Sequence, residues 1–415
     1  MTAVLPELPS RFTYRLELAK HVTPRLLKDE PVHRWFYFPH SFSPQLVELL
    51  FDHWQLSKDS TILDPFVGAG TTLRSAQQHG YNGIGIDLSP LSVFVSRVKT
   101  SHYDSSLIRH ALEDVLSGIN HTNVDVLRSE RLKKAFTDKE FSVLSLLRQN
   151  IAEQSEHVKQ FLLLGLLRVQ QKISRAKPDG GWFRWVKRDC QASQIGLQFK
   201  QTIEWMLDDL TSLESMHQGF WEVFIGDART IESFHEDLMR LSDGCQAIVT
   251  SPPYPNRHDY SRIFQIELLT LGLSESEIFN LRYNSLRSHV EARAPKQLTT
   301  FSKPTLLHRS IESLPDDADS RIEPMLMGYF EDMNAMLHSA YDTLSSGGHV
   351  ALVVGNVRHA GVMIPVDEIL SNIGESIGFT PLESWVARLR GNSAQQMGKF
   401  GREPARESIV MFQKN

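Results

Sequence analysis

Short apolar runs recur along the chain, and most hand over through a turn to a stretch with apolar residues at helical spacing. Thr61–Val67 leads through Gly68-Ala69-Gly70 into a helical pattern over Thr71–His79, and Tyr81–Leu88 leads through Ser89-Pro90 into one that begins at Leu91. Glu222–Asp227 and Gln246–Ser251 read as further buried strands, the second ending at Pro252-Pro253. His349–Asn356 follows a helical pattern over Met325–Leu344 and the turn Ser346-Gly347-Gly348, and Leu382–Leu389 and Ser408–Gln413 complete the set. Strands alternating with helices predict a doubly wound, mostly parallel α/β sheet. The last two runs leave no room for a crossover helix, so the final strand is expected to be antiparallel.

Two stretches break the alternation. Residues 101–218 read as mostly helical, with apolar residues at helical spacing throughout Val143–Ile173. Pro255–Ala318 mixes helix signals with basic residues and proline breaks. The expectation is one α/β domain built from residues 1–100 and 219–415, interrupted by a helical insertion over 101–218.

Composition narrows the class. Hydrophobic content of 41% and charged content of 22% are those of a soluble globular chain. The longest apolar candidate, Phe161–Leu167, is far short of the roughly 18–20 residues a membrane span needs. The first residues lack the basic-then-apolar order of a secretion signal, and two cysteines, Cys190 and Cys245, argue against a disulfide framework. A cytoplasmic location without membrane contact is therefore expected. With a net charge of −5, any nucleic-acid contact has to come from local basic patches.

The chemistry sits at the strand ends. Asp64-Pro65-Phe66-Val67-Gly68-Ala69-Gly70-Thr71-Thr72 closes one strand and opens a helix, where glycines let the backbone turn tightly and a ligand approach it closely. A dinucleotide turn carries a third glycine that is absent here. Asp87 ends the next strand, where a carboxylate accepts ribose hydroxyls. Asp227 ends the one after, in reach of an adenine amine; capping of a ligand-free sheet is the plainer alternative for such residues. In Thr250-Ser251-Pro252-Pro253-Tyr254 the two prolines fix φ and remove amide donors, so Ser251 and the Pro252 carbonyl can face a ligand. Acceptors holding both hydrogens of an exocyclic amine free its lone pair for attack, and Tyr254 offers a face on which an extruded base stacks.

These segments resemble the amino-methyltransferases of DNA modification, which carry a DPFxGxGTT turn and a [DNS]PP[YF] loop. The resemblance covers roughly residues 30–100 and 220–415. It implies a Rossmann-like seven-stranded methyltransferase sheet, S-adenosyl-L-methionine as cofactor and double-stranded DNA as partner. A cognate restriction endonuclease is a further partner that it suggests. Asp64, Pro65, Phe66, Gly68, Gly70, Thr71, Thr72, Asp87 and Asp227 are then the cofactor residues. Phe38 and His40 join them from His33–Pro44, a segment similar to the family's N-terminal cofactor side. Ser251, Pro252, Pro253 and Tyr254 are the catalytic residues. Family members with serine first in the loop are mostly cytosine-N4 enzymes, whereas aspartate or asparagine is commoner for adenine-N6. By chemistry alone Ser, Asp and Asn all accept an amine proton, so adenine-N6 stays the alternative. A carbon-5 cytosine enzyme needs a cysteine nucleophile, typically after proline, and neither cysteine is so placed. No His, Cys or carboxylate cluster has metal-ligand spacing. RNA base-amine methylation, protein amide methylation and an inactive DNA-binding subunit are the rival readings.

Three basic stretches are candidates for DNA contact. Arg168–Lys200 carries Arg184, Lys187 and Arg188 among Trp182, Phe183 and Trp185, beside the turn Pro178-Asp179-Gly180-Gly181. A solvated face over a packed tryptophan pair fits that pattern equally. Arg257 and Arg262 follow the catalytic loop closely enough to line a base pocket, with Arg282, Arg287, His289 and Arg293 further on. Arg388, Arg390, Lys399, Arg402 and Arg406 surround Gly391-Asn392-Ser393. Residues 101–218 are the expected target-reading region, assisted by 255–318.

Overall fold

The computed structural model describes residues 7–118, 129–179, 182–188, 190–211, 219–234, 244–293, 301–391 and 404–415. Asn392, Ser393, Lys399 and Arg402 of the third basic stretch, and Gly180, Gly181 and Asp189 of the first, lie outside these residues.

A single large sheet organises the chain. Its strands are β1 (Phe12–Tyr14), β2 (Thr61–Asp64), β3 (Asn82–Asp87), β6 (Trp221–Ile225), β7 (Cys245–Thr250), β8 (Leu344–Gly355), β11 (Thr380–Pro381), β12 (Ser384–Arg390) and β13 (Ala405–Gln413). β4 (Ala176–Asp179) and β5 (Trp182–Trp185) form a hairpin apart from it, as do β9 (Val357–His359) and β10 (Val362–Ile364). The main order is β1-β12-β13-β8-β7-β2-β3-β6, with β11 beside β13. β7–β8, β2–β7, β2–β3 and β3–β6 pair in parallel, whereas β13 runs antiparallel to both β8 and β12. All seven strands read from the sequence are present, and the last is the antiparallel one. The nine-stranded sheet adds β1 and β11, of three and two residues, too short for any periodicity to reveal.

The inner strands are apolar because helices cover both faces. Ile62 and Leu63 of β2 and Ala247, Ile248 and Val249 of β7 are fully buried. The helices next in chain order are α1 (Pro44–Trp54), α2 (Thr71–Gln78) and α3 (Pro90–Thr100). Met325, Met333, Met336 and Leu337, on the long helix Ile322–Thr343, pack against Ile84, Ile248 and Val350 on one face. Phe51 of α1 and Trp385 share a smaller core with Ala247 and Val249 on the other.

The described residues of 101–218 form α4 (Ser105–Ser117), α5 (Glu130–Ala135), α6 (Asp138–Ala152), α7 (Glu156–Ile173), the β4–β5 hairpin and α8 (Ile195–Thr211). The helical run expected over Val143–Ile173 is two helices, because Ser155 stands as the cap before α7. The β4–β5 hairpin is a structural addition to the expected helices. Its arms are four residues each and carry Lys, Pro and Arg, so no apolar alternation marks them. These helices share one hydrophobic core with Val95 and Val98 of α3, with Trp35, Phe36 and Phe38, and with Ile263–Leu269.

Asp209 of α8 fixes the N-terminal segment to that core. Its buried carboxylate accepts from the Val32 amide at 2.9 Å, Trp35 Nε1 at 3.0 Å and Arg34 Nε at 3.0 Å, and it also pairs with Arg34 Nη2. Removing it strands donors of three residues in a low-dielectric interior. Asp209→Ala is expected to lower unfolding free energy by about 3 kcal/mol, read as an earlier denaturant midpoint. An unchanged midpoint contradicts the role.

Candidate active site

The carboxyl ends of β2, β3, β6 and β7 open on one edge of the sheet, where the chain order reverses between β2 and β7. Open parallel sheets form their ligand crevice at this switch point. A cavity of about 360 Å³ lies there, lined by Phe38, His40, Asp64, Pro65, Phe66, Gly68, Thr71, Asp87, Asp227, Ser251, Pro252, Pro253 and Tyr254. The two sequence segments therefore meet in one cleft.

Gly70 and Thr72 shape that cleft from behind its wall. Gly70 caps α2 at φ +75°, and a Cβ there would come within 2.9 Å of Ser96 Oγ. The buried Thr72 hydroxyl donates to the Val249 carbonyl at 3.0 Å, and Thr250 Oγ1 donates to Asp64 Oδ1 at 2.6 Å. These two bonds tie the glycine turn to the strand that delivers the Ser-Pro-Pro-Tyr loop. Burial raises the Asp64 carboxyl to about 7, against the pull of Thr250, Thr72 and the Phe66 amide. Lys99 of α3, fully enclosed, donates to the carbonyls of His33 and Ala69, both at 3.0 Å, so the N-terminal segment and the glycine turn share one clamp. Ser41 Oγ lies 3.1 Å from Thr71 Oγ1 and adds a second link.

Asp87 accepts from the amides of Gly68 at 3.0 Å and Ser89 at 2.8 Å, one on each carboxylate oxygen. Burial pushes its carboxyl up to about 6 even so. Asp227 accepts from the backbone N–H and the guanidinium of Arg229, the latter as close as 2.6 Å. Arg229 is also 3.3 Å from the buried Asp332, so the adenine amine expected at Asp227 would meet a carboxylate that is already paired.

On the catalytic side, Ser251 Oγ donates to the Val353 carbonyl of β8 at 3.0 Å. Its proton is thereby engaged, and its lone pairs remain for a donor in the cleft. The Tyr254 hydroxyl donates to Glu407 Oε1 at 3.3 Å, which fixes the ring. Glu407 sits on β13 opposite Gly355 of β8 and Arg388 of β12, and accepts from Arg388 at 3.3 Å. His40 packs on His258 at 5.1 Å and edge-on to Tyr260 at 5.3 Å. Burial first, then His258 and Arg390, lower the His40 imidazole to about 4, so it is uncharged at neutral pH.

Comparison with known proteins decides the family. The DNA methylase family of N6 and N4 enzymes matches residues 17–93. Type II methyltransferase M.BsoBI of Geobacillus stearothermophilus is 30% identical over 440 aligned positions, which cover 93% of this chain and 86% of that protein. Type II methyltransferase M.AvaI of Nostoc sp. is 28% identical, with 98% and 92% covered. Type II methyltransferase M.MjaII of Methanocaldococcus jannaschii is 39% identical over a shorter stretch, 21% of this chain and 16% of that one. The chain belongs to the Type II DNA methyltransferases of the N4/N6 amino family. S-adenosylmethionine is accordingly its methyl donor, and DNA its substrate.

The basic residues expected to contact DNA in this methyltransferase fall in different places. Arg257 and Arg262 turn away from the cavity, a correction to the expectation that they line it. Arg257 pairs with Asp319 at 2.7 Å, and Arg262 pairs with Asp259 and Glu291, each at 3.2 Å. Their neighbours His258, Asp259, Tyr260 and Ser261 line it instead. Arg184 and Lys187 are exposed on and beside the hairpin, and Arg188 is half-buried. Trp182 and Trp185 are also exposed there, and the Arg262 guanidinium lies 4.7 Å from the Trp182 ring centroid, so hairpin and catalytic segment touch. Arg390 and Glu407 line the cavity although the sequence marks the first only as one of several basic residues and the second not at all. A carboxylate two residues before the apolar run Ile409–Phe412 was the available signal for Glu407. Among the helical membrane-span candidates sought in the described residues, no helix is long and apolar enough to cross a bilayer.

A ribose hydroxyl donates to an ionised carboxylate, and protonation converts one acceptor oxygen of Asp87 into a hydroxyl. S-adenosylmethionine affinity is therefore expected to fall as pH drops through about 6, approaching tenfold per pH unit below it. Asp64 titrates nearby but is bonded to Thr250 and Phe66, so the comparison with Asp87→Asn isolates Asp87. Calorimetric titration should give a pH-dependent affinity for the wild type and a weaker, flat one for Asp87→Asn. A flat wild-type profile contradicts the role.

Proposed function

We propose that this methyltransferase transfers the methyl group of S-adenosylmethionine to the exocyclic N4 of cytosine at a specific site in duplex DNA. It acts in the cytoplasm beside a cognate restriction endonuclease. The observation that carries the amine reading is Ser251, whose hydroxyl proton is held by Val353 so that its oxygen faces the cleft as an acceptor. Serine in that position also favours cytosine by family precedent.

The residues present suit the cofactor. The glycine turn leaves backbone room at Gly68, a carboxylate at Asp87 suits the ribose, and Phe38, Phe66 and Ala228 give apolar walls. Phe38, His40 and Ser41 would hold the methionine end, with Asp227 toward the adenine. When bound, the cofactor supplies an electrophilic methyl on a sulfonium. The chain's part is to orient and to stabilise. Ser251 and the Pro252 carbonyl accept the two amine hydrogens, and the nitrogen lone pair is directed at the methyl carbon. As the N–C bond forms and the C–S bond breaks, positive charge grows on nitrogen, and those two fixed acceptors stabilise it. S-adenosylhomocysteine is the neutral leaving group, and one amine proton then passes to solvent water. Tyr254, held by Glu407, stacks on the extruded base. No covalent enzyme intermediate is needed. Residues 101–218, with the exposed Trp182, Arg184, Trp185 and Lys187, are the proposed target-reading region, assisted by 255–318.

Mass spectrometry of nucleosides from DNA incubated with the enzyme is expected to show N4-methylcytosine. N6-methyladenine in its place overturns the base assignment. Ser251→Ala should lower kcat by about 100-fold or more and leave calorimetric cofactor affinity within a few-fold. An equal loss of affinity contradicts the division of roles between Ser251 and Asp87.

A further inference from the structure

Three arginines line the cavity, and two of them are committed. Arg229 pairs with Asp227 and Asp332, and Arg388 pairs with Glu407. Arg390 differs. Among the described residues it has no carboxylate at ion-pair distance, and its buried Nε has no hydrogen-bond partner. Its Nη2 donates to the Asn356 carbonyl at 3.0 Å, which anchors the guanidinium at the end of β8. The guanidinium carbon lies 5.8 Å from the Tyr254 ring centroid. At Gly355 a Cβ would come within 2.6 Å of Arg390 Nη2 and 2.9 Å of Tyr254 Cε2, so the cation and the ring share the space over that glycine. His40 and His258 stand nearby, and both are held below the usual histidine range, chiefly by burial, with Arg390 contributing to each. Among the described residues the guanidinium therefore lines the cavity without a carboxylate at ion-pair distance, and its one carbonyl contact leaves further N–H groups for a ligand acceptor.

We propose that Arg390 is a base-specificity residue that donates to the O2 carbonyl of the flipped target cytosine. The inference rests on the cytosine reading above. A cytosine presents amine, ring N3 and carbonyl O2 in a row along its Watson–Crick edge, whereas adenine presents amine, ring N1 and a C–H. A donor at the far end of that edge therefore favours cytosine, and an arginine fork can reach N3 and O2 together. Ser251 is anchored at Val353 and Arg390 at Asn356, three residues further along the same segment, and both line the one cavity. Specificity of this kind resides in a buried donor that the wrong base leaves unpaired.

The test uses duplexes carrying the modification site mapped on methylated genomic DNA. One series has the natural cytosine. The other has a 2-aminopyridine C-nucleoside in its place, which keeps the amine and adjacent ring nitrogen but lacks the carbonyl. The wild type is expected to lose roughly 10- to 100-fold in kcat/KM on the analogue. Arg390→Gln should lose a similar factor on cytosine and nothing further on the analogue, and Arg390→Lys should recover only part of it. Cofactor affinity within a few-fold of wild type shows that the variants fold; should both fail, the wild-type comparison still decides. A wild type that methylates cytosine and the analogue equally, or an Arg390→Gln enzyme that distinguishes them as sharply as the wild type, overturns the assignment. N6-methyladenine from the wild type overturns the base reading instead, so the two failures are told apart.

Discussion

The pairing of β2 with β7 is the contact on which the site depends. Two parallel strands far apart in sequence lie side by side at the point where the chain order reverses, and each ends in a loop with its own chemistry. Backbone pairing alone would leave those loops free to pivot. Thr250 donating to Asp64 and Thr72 donating to Val249 add side-chain bonds across the seam, inside a buried layer where water does not compete. The glycine turn and the Ser-Pro-Pro-Tyr loop consequently move as one body. Direct methyl transfer requires this, because an error of an ångström between donor and acceptor atoms is costly.

The antiparallel end of the sheet contributes as much to the cleft as the parallel half. β13 inserts between β8 and β12, and its register sets Glu407 opposite Gly355 and beside Arg388. That alignment fixes Tyr254 through its hydroxyl and leaves the space over Gly355 to the tyrosine ring and Arg390. The buried Asp64 and half-buried Asp87 carboxylates face the other half of the cleft, each raised by desolvation and partly relieved by amides or hydroxyls. The cleft thus carries acceptors toward the cofactor turn and a cation toward the return strand.

The insertion is joined to the site through one core. Trp35, Phe36 and Phe38 pack among its helices, and Asp209 of α8 holds three donors of that segment. The cofactor-side segment therefore depends on a helix that lies more than 150 residues later in the chain. The β4–β5 hairpin meets the catalytic segment through Trp182 and Arg262. A change in the insertion can accordingly reach both the cofactor wall and the loop beyond Tyr254.

Sequence by itself determined seven of the nine strands of the sheet, the antiparallel return, and the residues at the strand ends, because buried strands are read from local apolar runs and ligand turns from local glycines and prolines. It also named part of the cavity wall: Asp64, Asp87, Asp227, Ser251 and Tyr254 all line it. Only the tertiary structure decided the rest. Arg257 and Arg262 look no different in sequence from Arg390, yet the first two are drawn away by Asp319, Asp259 and Glu291, and the third is left beside Tyr254. Which charges pair is set by strand register and by segments distant in the chain. Local pattern carries no trace of either, and so the division between paired and cavity-facing cations had to come from the fold.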